Sequence, residues 1–146
     1  MPVVDTELLF LLNPRDPRHS FALKIIEQLK GELYVPDTAI LEFEVTLRSR
    51  GRSISQVRRA LASIKKILID YNIHEVSTLS TDTLLLHLDF MEEYGLSYFD
   101  SLIAASAIII DGVIVSDDKA FDRVKGLKRI PITSEHKPPK QDNQLP

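Results

Sequence analysis

Apolar residues recur along this chain in two rhythms. Short β-branched runs have the length of buried strands: Val3-Val4, Leu33-Tyr34-Val35, Ile73 to Val76 and Val113-Ile114-Val115. Between them, apolar positions fall three and four apart, the spacing of one helix face. Thr6 to Leu12 begins a helix that Asn13-Pro14-Arg15-Asp16-Pro17 breaks. Phe21, Ile25, Ile26 and Leu29 mark a second helix, stopped by Gly31. Pro36-Asp37 opens a third, which runs through Leu47 with Gly51 beyond it. Ser53 and Gln56 have capping-box spacing ahead of Ile54, Val57, Leu61, Ile64 and Leu68. Ser80 to Tyr94 forms another helix, closed by Gly95. Asp100 then opens the apolar helix LIAASAIII, which ends at Asp111-Gly112. After the strand Val113 to Val115, Lys119 to Val124 starts a last helix.

Strands alternating with helices predict an α/β fold, a three-layer α/β/α arrangement with a central parallel sheet flanked by helices. Glycines 31, 51, 95, 112 and 126 each follow an apolar helical stretch, where a left-handed residue ends the helix. They are punctuation, and neither GxGxxG nor GxxxxGK[ST] is present, which excludes those routes to nucleotide binding. Residues 1–133 are expected to form one domain. From Ser134 the chain is polar and carries Pro138, Pro139 and Pro146, so 134–146 reads as a disordered tail.

Composition narrows the picture. The chain has 146 residues and no cysteine, which excludes disulfides, thiolate metal sites and thiol nucleophiles. A cytoplasmic location is expected. The net charge of −3 means that any nucleic-acid binding must come from local basic surface. The apolar N-terminus lacks a charged n-region and contains Asp5 and Glu7, unlike a signal peptide. No apolar run reaches the ~20 residues that span a bilayer, so no membrane contact is expected.

The chemistry resides in the acids. Asp5 follows the first strand, and Ser116-Asp117-Asp118 follows the strand Val113 to Val115. Ligands in open α/β sheets sit outside the carboxyl ends of strands. Asp100 lies near a helix N-terminus, where an anion is favoured. Glu42 and Glu44 lie one turn into a helix among Ile40, Leu41, Phe43 and Val45. A carboxylate in apolar surroundings is costly unless paired or metal-bound. Singly, each acid has a plainer role: Asp100 or Asp118 as a helix cap, Asp5 as a strand-end acid, Glu42 or Glu44 as a solvent-facing residue. Together they read as a cage for Mg²⁺ or Mn²⁺ suited to phosphodiester hydrolysis. Whether Asp117 or Asp118, and Glu42 or Glu44, completes it stays open on this ground.

Other chemistries fit less well. His19, His74, His87 and His136 lack metal-ligand spacing and read as surface or partly buried residues. No serine sits in G-x-S-x-G. Asp5-Thr6-Glu7 lacks the second Asp of a phosphoaspartyl enzyme. Residues 45 to 69 contain Arg48, Arg50, Arg52, Arg58, Arg59, Lys65 and Lys66 and no acid. This stretch is either a solvated face or a surface that tracks a phosphate backbone.

Four segments carry a resemblance: VVDT at 3–6, VPDTAILEFEVTLR at 35–48, YFDSLIAASA at 98–107 and VIVSDDKAFDRV at 113–124. In order and spacing they resemble the motifs of PIN-domain ribonucleases. The resemblance implies a PIN-like fold over residues 1–133 and a cage of Asp5, Glu42, Asp100 and Asp118 holding Mg²⁺ or Mn²⁺. Thr6, Ser116 and Asp117 would support that cage. Spacing to Pro36 selects Glu42, and spacing to Phe121 selects Asp118. The resemblance further implies hydrolysis of RNA, often by the toxin of a VapBC toxin–antitoxin pair, with an antitoxin partner and a homodimer. Arg48, Arg50, Arg52, Arg58 and Arg59 are the expected RNA contacts. The alternatives are a PIN-fold RNA- or protein-binding module with little catalysis, and a non-toxin RNA-processing or structure-specific nuclease.

Overall fold

The computed structural model describes residues 1–133, and the tail at 134–146, expected to be disordered, lies outside the described residues. Five short parallel strands run in the order β3-β2-β1-β4-β5. They are β1 (Val3–Val4), β2 (Tyr34–Pro36), β3 (His74–Val76), β4 (Val113–Val115) and β5 (Lys128–Ile130). Six α-helices flank them: α1 (Thr6–Leu11), α2 (His19–Gln28), α3 (Asp37–Ser49), α4 (Ile54–Asp70), α5 (Thr81–Tyr94) and α6 (Tyr98–Ile110). Among the described residues no helix is long and apolar enough to cross a membrane.

The apolar rhythm explains this arrangement. Val3, Val4, Val35, Ile114 and Val115 are fully buried, as expected of a sheet covered on both faces. Helix α4 turns Val57, Ile64 and Leu68 inward, and Ser53 and Gln56 form the capping box that their spacing predicts. Helix α6 is apolar on nearly every side and is buried without a break from Ser101 to Ala107. It packs on α5, α3, β1, β2 and β4. Its small residues let those neighbours approach. The polar groups inside are satisfied: Ser106 Oγ donates to the Leu102 carbonyl at 3.0 Å and accepts from Thr78 Oγ1 at 2.8 Å, with Thr38 Oγ1 also at 2.8 Å.

Four details depart from the sequence reading. The N-cap of α6 is Ser97, whose side chain accepts from the Asp100 N–H; Asp100 lies one turn inside the helix. The helix expected at Lys119 to Val124 is a short 3₁₀ turn, Lys119–Arg123, because the chain must reverse at once to place β5 beside β4. The sequence reading missed β5 itself. Lys128-Arg129-Ile130 is an edge strand with one apolar residue, so it shows neither a buried run nor an alternation. Finally, His87 is fully buried, its Nδ1 2.7 Å from Ser101 Oγ.

Gly112 closes α6 with φ +78°, and a Cβ there would lie 2.8 Å from the Gly126 carbonyl oxygen. Gly51, at φ +85°, faces open space. Gly51→Ala should therefore cost only the left-handed backbone penalty, about 1–2 kcal/mol. Gly112→Ala must also displace backbone and should cost more, about 3 kcal/mol. Denaturant midpoints of the two variants measure the difference.

Candidate active site

The strand order reverses between β1 and β4: the chain builds outward from β1 to β2 and β3, then crosses back to lay β4 on the other side of β1. That reversal opens a crevice at the carboxyl ends of β1 and β4. A cavity of about 490 Å³ occupies it, lined by Asp5, Thr6, Glu7, Phe10, Asn13, Asp16, Arg18, Glu42, Thr46, Arg50, Asp100 and Asp118. The four acids singled out by motif thus arrive from four places: the end of β1, helix α3, the first turn of α6 and the turn after β4.

Each is held by local structure. Asp5 leaves β1 as the N-cap of α1, with Oδ1 accepting from the Thr6 N–H at 2.8 Å. Its Oδ2 accepts from the Ser116 hydroxyl at 2.7 Å, and that hydroxyl accepts from the Asp118 N–H at 3.0 Å. Asp118 caps the 3₁₀ turn, Oδ1 accepting from the Ala120 N–H at 2.9 Å. Asp5 and Asp118 are therefore caps and cavity acids at once.

The electrostatics are unfavourable for charge. Burial pushes the Asp5 carboxyl up to about 7; the Ser116 hydrogen bond opposes this, while the charges of Asp100, Glu42 and Glu7 add to it. Glu42 is raised by burial and by Asp100, against hydrogen bonding from Thr6. Asp100 is raised by burial and by Asp118, against Ser97. Among the described residues none of the four is ion-paired with Lys or Arg. An all-oxygen donor set in which burial and neighbouring acids disfavour the charges of Asp5, Glu42 and Asp100 suits a hard divalent cation. Among the described residues no three His, Cys, Asp or Glu groups are gathered closely enough to hold an ion as they stand.

The alternative acids face elsewhere. Asp117 Oδ1 accepts from the Ile132 and Thr133 N–H groups at 2.7 and 3.1 Å, pinning the chain beyond β5. Glu44 lines a separate notch with Arg48 and Arg58. Of the five arginines expected along an RNA path, Arg50 alone lines the acid cavity. Arg48 donates to the Arg52 carbonyl at 3.1 Å, Arg52 lines an apolar groove between α1, α3 and α4, and Arg59 lies 3.5 Å from Ser55 Oγ.

The sequence reading missed the far wall. Arg18 pairs with Glu7 Oε2 at 2.9 Å, while Glu7 Oε1 accepts from the Asp117 N–H at 3.1 Å. Glu7 thus ties the turn carrying Asp118 to α1. Its position one helical turn before Phe10 and two residues after Asp5 was the available signal, since the first turn of α1 must border the same strand end.

These shifts set a pH dependence. Asp5 is protonated more readily folded than unfolded, so its contribution to stability is full below about pH 4 and is lost as pH rises towards 7. Asp5→Asn should raise the stability of the metal-free protein at pH 8 by roughly 2 kcal/mol, the relieved ionisation being partly offset by a poorer hydrogen bond to Ser116. The advantage should vanish near pH 4. Thermal melts of both proteins in a chelator, from pH 4 to 8, measure it.

Comparison with known proteins places this geometry in context. Curated proteins yield no match. Among solved structures, the chain is similar to VapBC2 from Rickettsia felis bound to a promoter DNA fragment, at 17% identity and TM-score 0.66 over 88% of this chain and 96% of that one. It is equally similar, at 16% identity and TM-score 0.66, to VapC20 from Mycobacterium tuberculosis, described as a toxin cleaving the sarcin-ricin loop; 84% of this chain and 94% of that one are covered. DNA-bound VapBC from Salmonella typhimurium matches at 14% identity and TM-score 0.65, over 90% and 99%. At these identities the likeness establishes the fold. The PIN domain model matches residues 3–127, a span that contains all four cavity acids, and the chain belongs to the PIN domain family.

Proposed function

We propose that this protein is a metal-dependent endoribonuclease and the toxin of a VapBC-type pair, acting in the cytoplasm as a homodimer under the control of an antitoxin. PIN domains are nucleases, which sets the reaction class. One observation carries the finer reading: four unpaired carboxylates from four elements converge on one open cleft at the strand-order reversal. Asp5, Glu42, Asp100 and Asp118 would hold Mg²⁺ or Mn²⁺. A cation held there would supply a water of lowered pKa and stabilise charge developing on the phosphate.

The chain's own residues prepare that site. Thr6 N–H and the Ser116 hydroxyl each occupy one lone pair of Asp5, fixing its plane and leaving a second lone pair on each oxygen. Ser116 also fixes the backbone of Asp118, so one hydroxyl sets the spacing of two acids. On the cleft wall Arg18 is spent on Glu7, so this pair leaves the charge of the four acids uncompensated.

The partner reading has separate support. A structure of similar fold from Klebsiella pneumoniae is described as a toxin–antitoxin complex, and the apolar groove lined by Leu9, Phe10, Leu12, Phe43, Leu47 and Ile67 borders the acid cavity through Phe10. Such a groove suits an amphipathic segment of an antitoxin.

A mixed RNA pool incubated with Mg²⁺, without it and with EDTA, followed by mapping of the new ends, tests the proposal. Cleavage should require the cation. Asp100→Asn and Asp118→Asn should each lower it by more than about 100-fold, beyond the usual cost of disturbing a residue that only supports a ligand. Asp117→Asn keeps an acceptor for Ile132 and Thr133 and should stay within a few-fold of wild type. The reverse order for Asp117 and Asp118 would overturn the assignment. RNA binding with no cation-dependent cleavage would identify a binding module instead.

A further inference from the structure

Two arginines line the acid cavity, and their surroundings differ. Arg18 is committed: it bonds Glu7 at 2.9 Å and lies 3.6 Å from Asp16. Arg50 is not. At the C-cap of α3 its backbone N–H closes the helix, while among the described residues its guanidinium meets no carboxylate and no carbonyl. It rests instead over the ring of Phe10, 4.8 Å from the centroid. Phe10 is braced in turn by Phe43, with ring centroids 4.8 Å apart.

This is an unusual way to leave a cation beside four acids. An arginine in such a cleft would gain by falling onto a carboxylate, and in doing so it would compete with any ion there. Stacking occupies the face of the guanidinium and leaves its in-plane donors unspent. The aromatic shelf therefore keeps Arg50 on the cavity wall and off the acids. A group with free planar donors at the rim of a site that cuts phosphodiesters matches a non-bridging phosphate edge.

We infer that Arg50, shelved on Phe10, grips an RNA phosphate neighbouring the scissile one and so positions the strand over the acids. Arg50 is a substrate-binding residue, and Phe10 positions it. The inference rests on the nuclease reading and deepens it. It also separates Arg50 from Arg48 and Arg52, which lie outside the cavity.

The test uses the full chain and a labelled single-stranded RNA that it cleaves, or, if none is found, a mixed-sequence single strand. Binding is measured across salt concentrations with Ca²⁺ in place of Mg²⁺, and steady-state cleavage is measured with Mg²⁺. Arg50→Ala should weaken binding about tenfold or more, raise KM with kcat within a few-fold, and flatten the salt slope by ~0.7. Arg50→Lys should retain the slope and recover part of the affinity. Phe10→Leu should raise KM while leaving the charge count unchanged. Arg48→Ala should match wild type in both measurements. An unchanged slope in Arg50→Ala, or an equal loss in Arg48→Ala, would overturn the contact. A wild-type protein that binds with the predicted Arg50 dependence but cuts no RNA would overturn the nuclease reading and leave the contact standing.

Discussion

The carboxyl end of the sheet is arranged around keeping Asp5 out of water. A buried carboxyl is costly, and this one lies at the end of the central strand with three further acids bearing on it. The fold offsets the cost with two hydrogen bonds, one from the helix it caps and one from Ser116 across the strand pair. The second bond requires β4 to sit beside β1 in one register, Val4 against Val115. That register delivers Ser116 and Asp118, and the crossover needed to reach it lays α6, with Asp100, against β1. Topology and electrostatics are in this sense one requirement.

The elements that were legible from sequence are those whose residues do one job. Val3-Val4 and Ile114-Val115 are buried strand residues and nothing else, and Ser53 with Gln56 forms the box its spacing predicts. Residues with two jobs were harder to read. Asp100 resembles a helix opener, but Ser97 already fills that role, which leaves the Asp100 carboxylate for the cleft. Asp5 and Asp118 are caps and cleft acids together, so neither plain reading excludes the other. Edge strand β5 carried no signal because a strand paired on one side can consist of charged residues.

Helical geometry alone separates some residues that composition lumps together. Glu42 and Glu44 are two positions apart on α3, which turns their side chains to nearly opposite faces. One lines the acid cavity and the other the notch with Arg48 and Arg58. Arg48 and Arg50 part company for the same reason. A basic run counted along the sequence is therefore not a basic surface, and of that run only Arg50 meets the cleft. Arg18 was invisible because what matters is its pairing with Glu7 across the α1–α2 connection, which no local pattern encodes.

The order in which the acids occur along the chain has a consequence for synthesis. Asp5 and Glu42 belong to the first half, which lays down β1 and β2, while Asp100 and Asp118 arrive only with α6 and the turn after β4. The crevice is bounded by β1 on one side and β4 on the other, so it has no second wall until β4 docks. A growing polypeptide on the ribosome thus carries half of the acids through most of its translation but has no cleft to place them in. Competence for chemistry is acquired in a single late step, when β4 closes against β1.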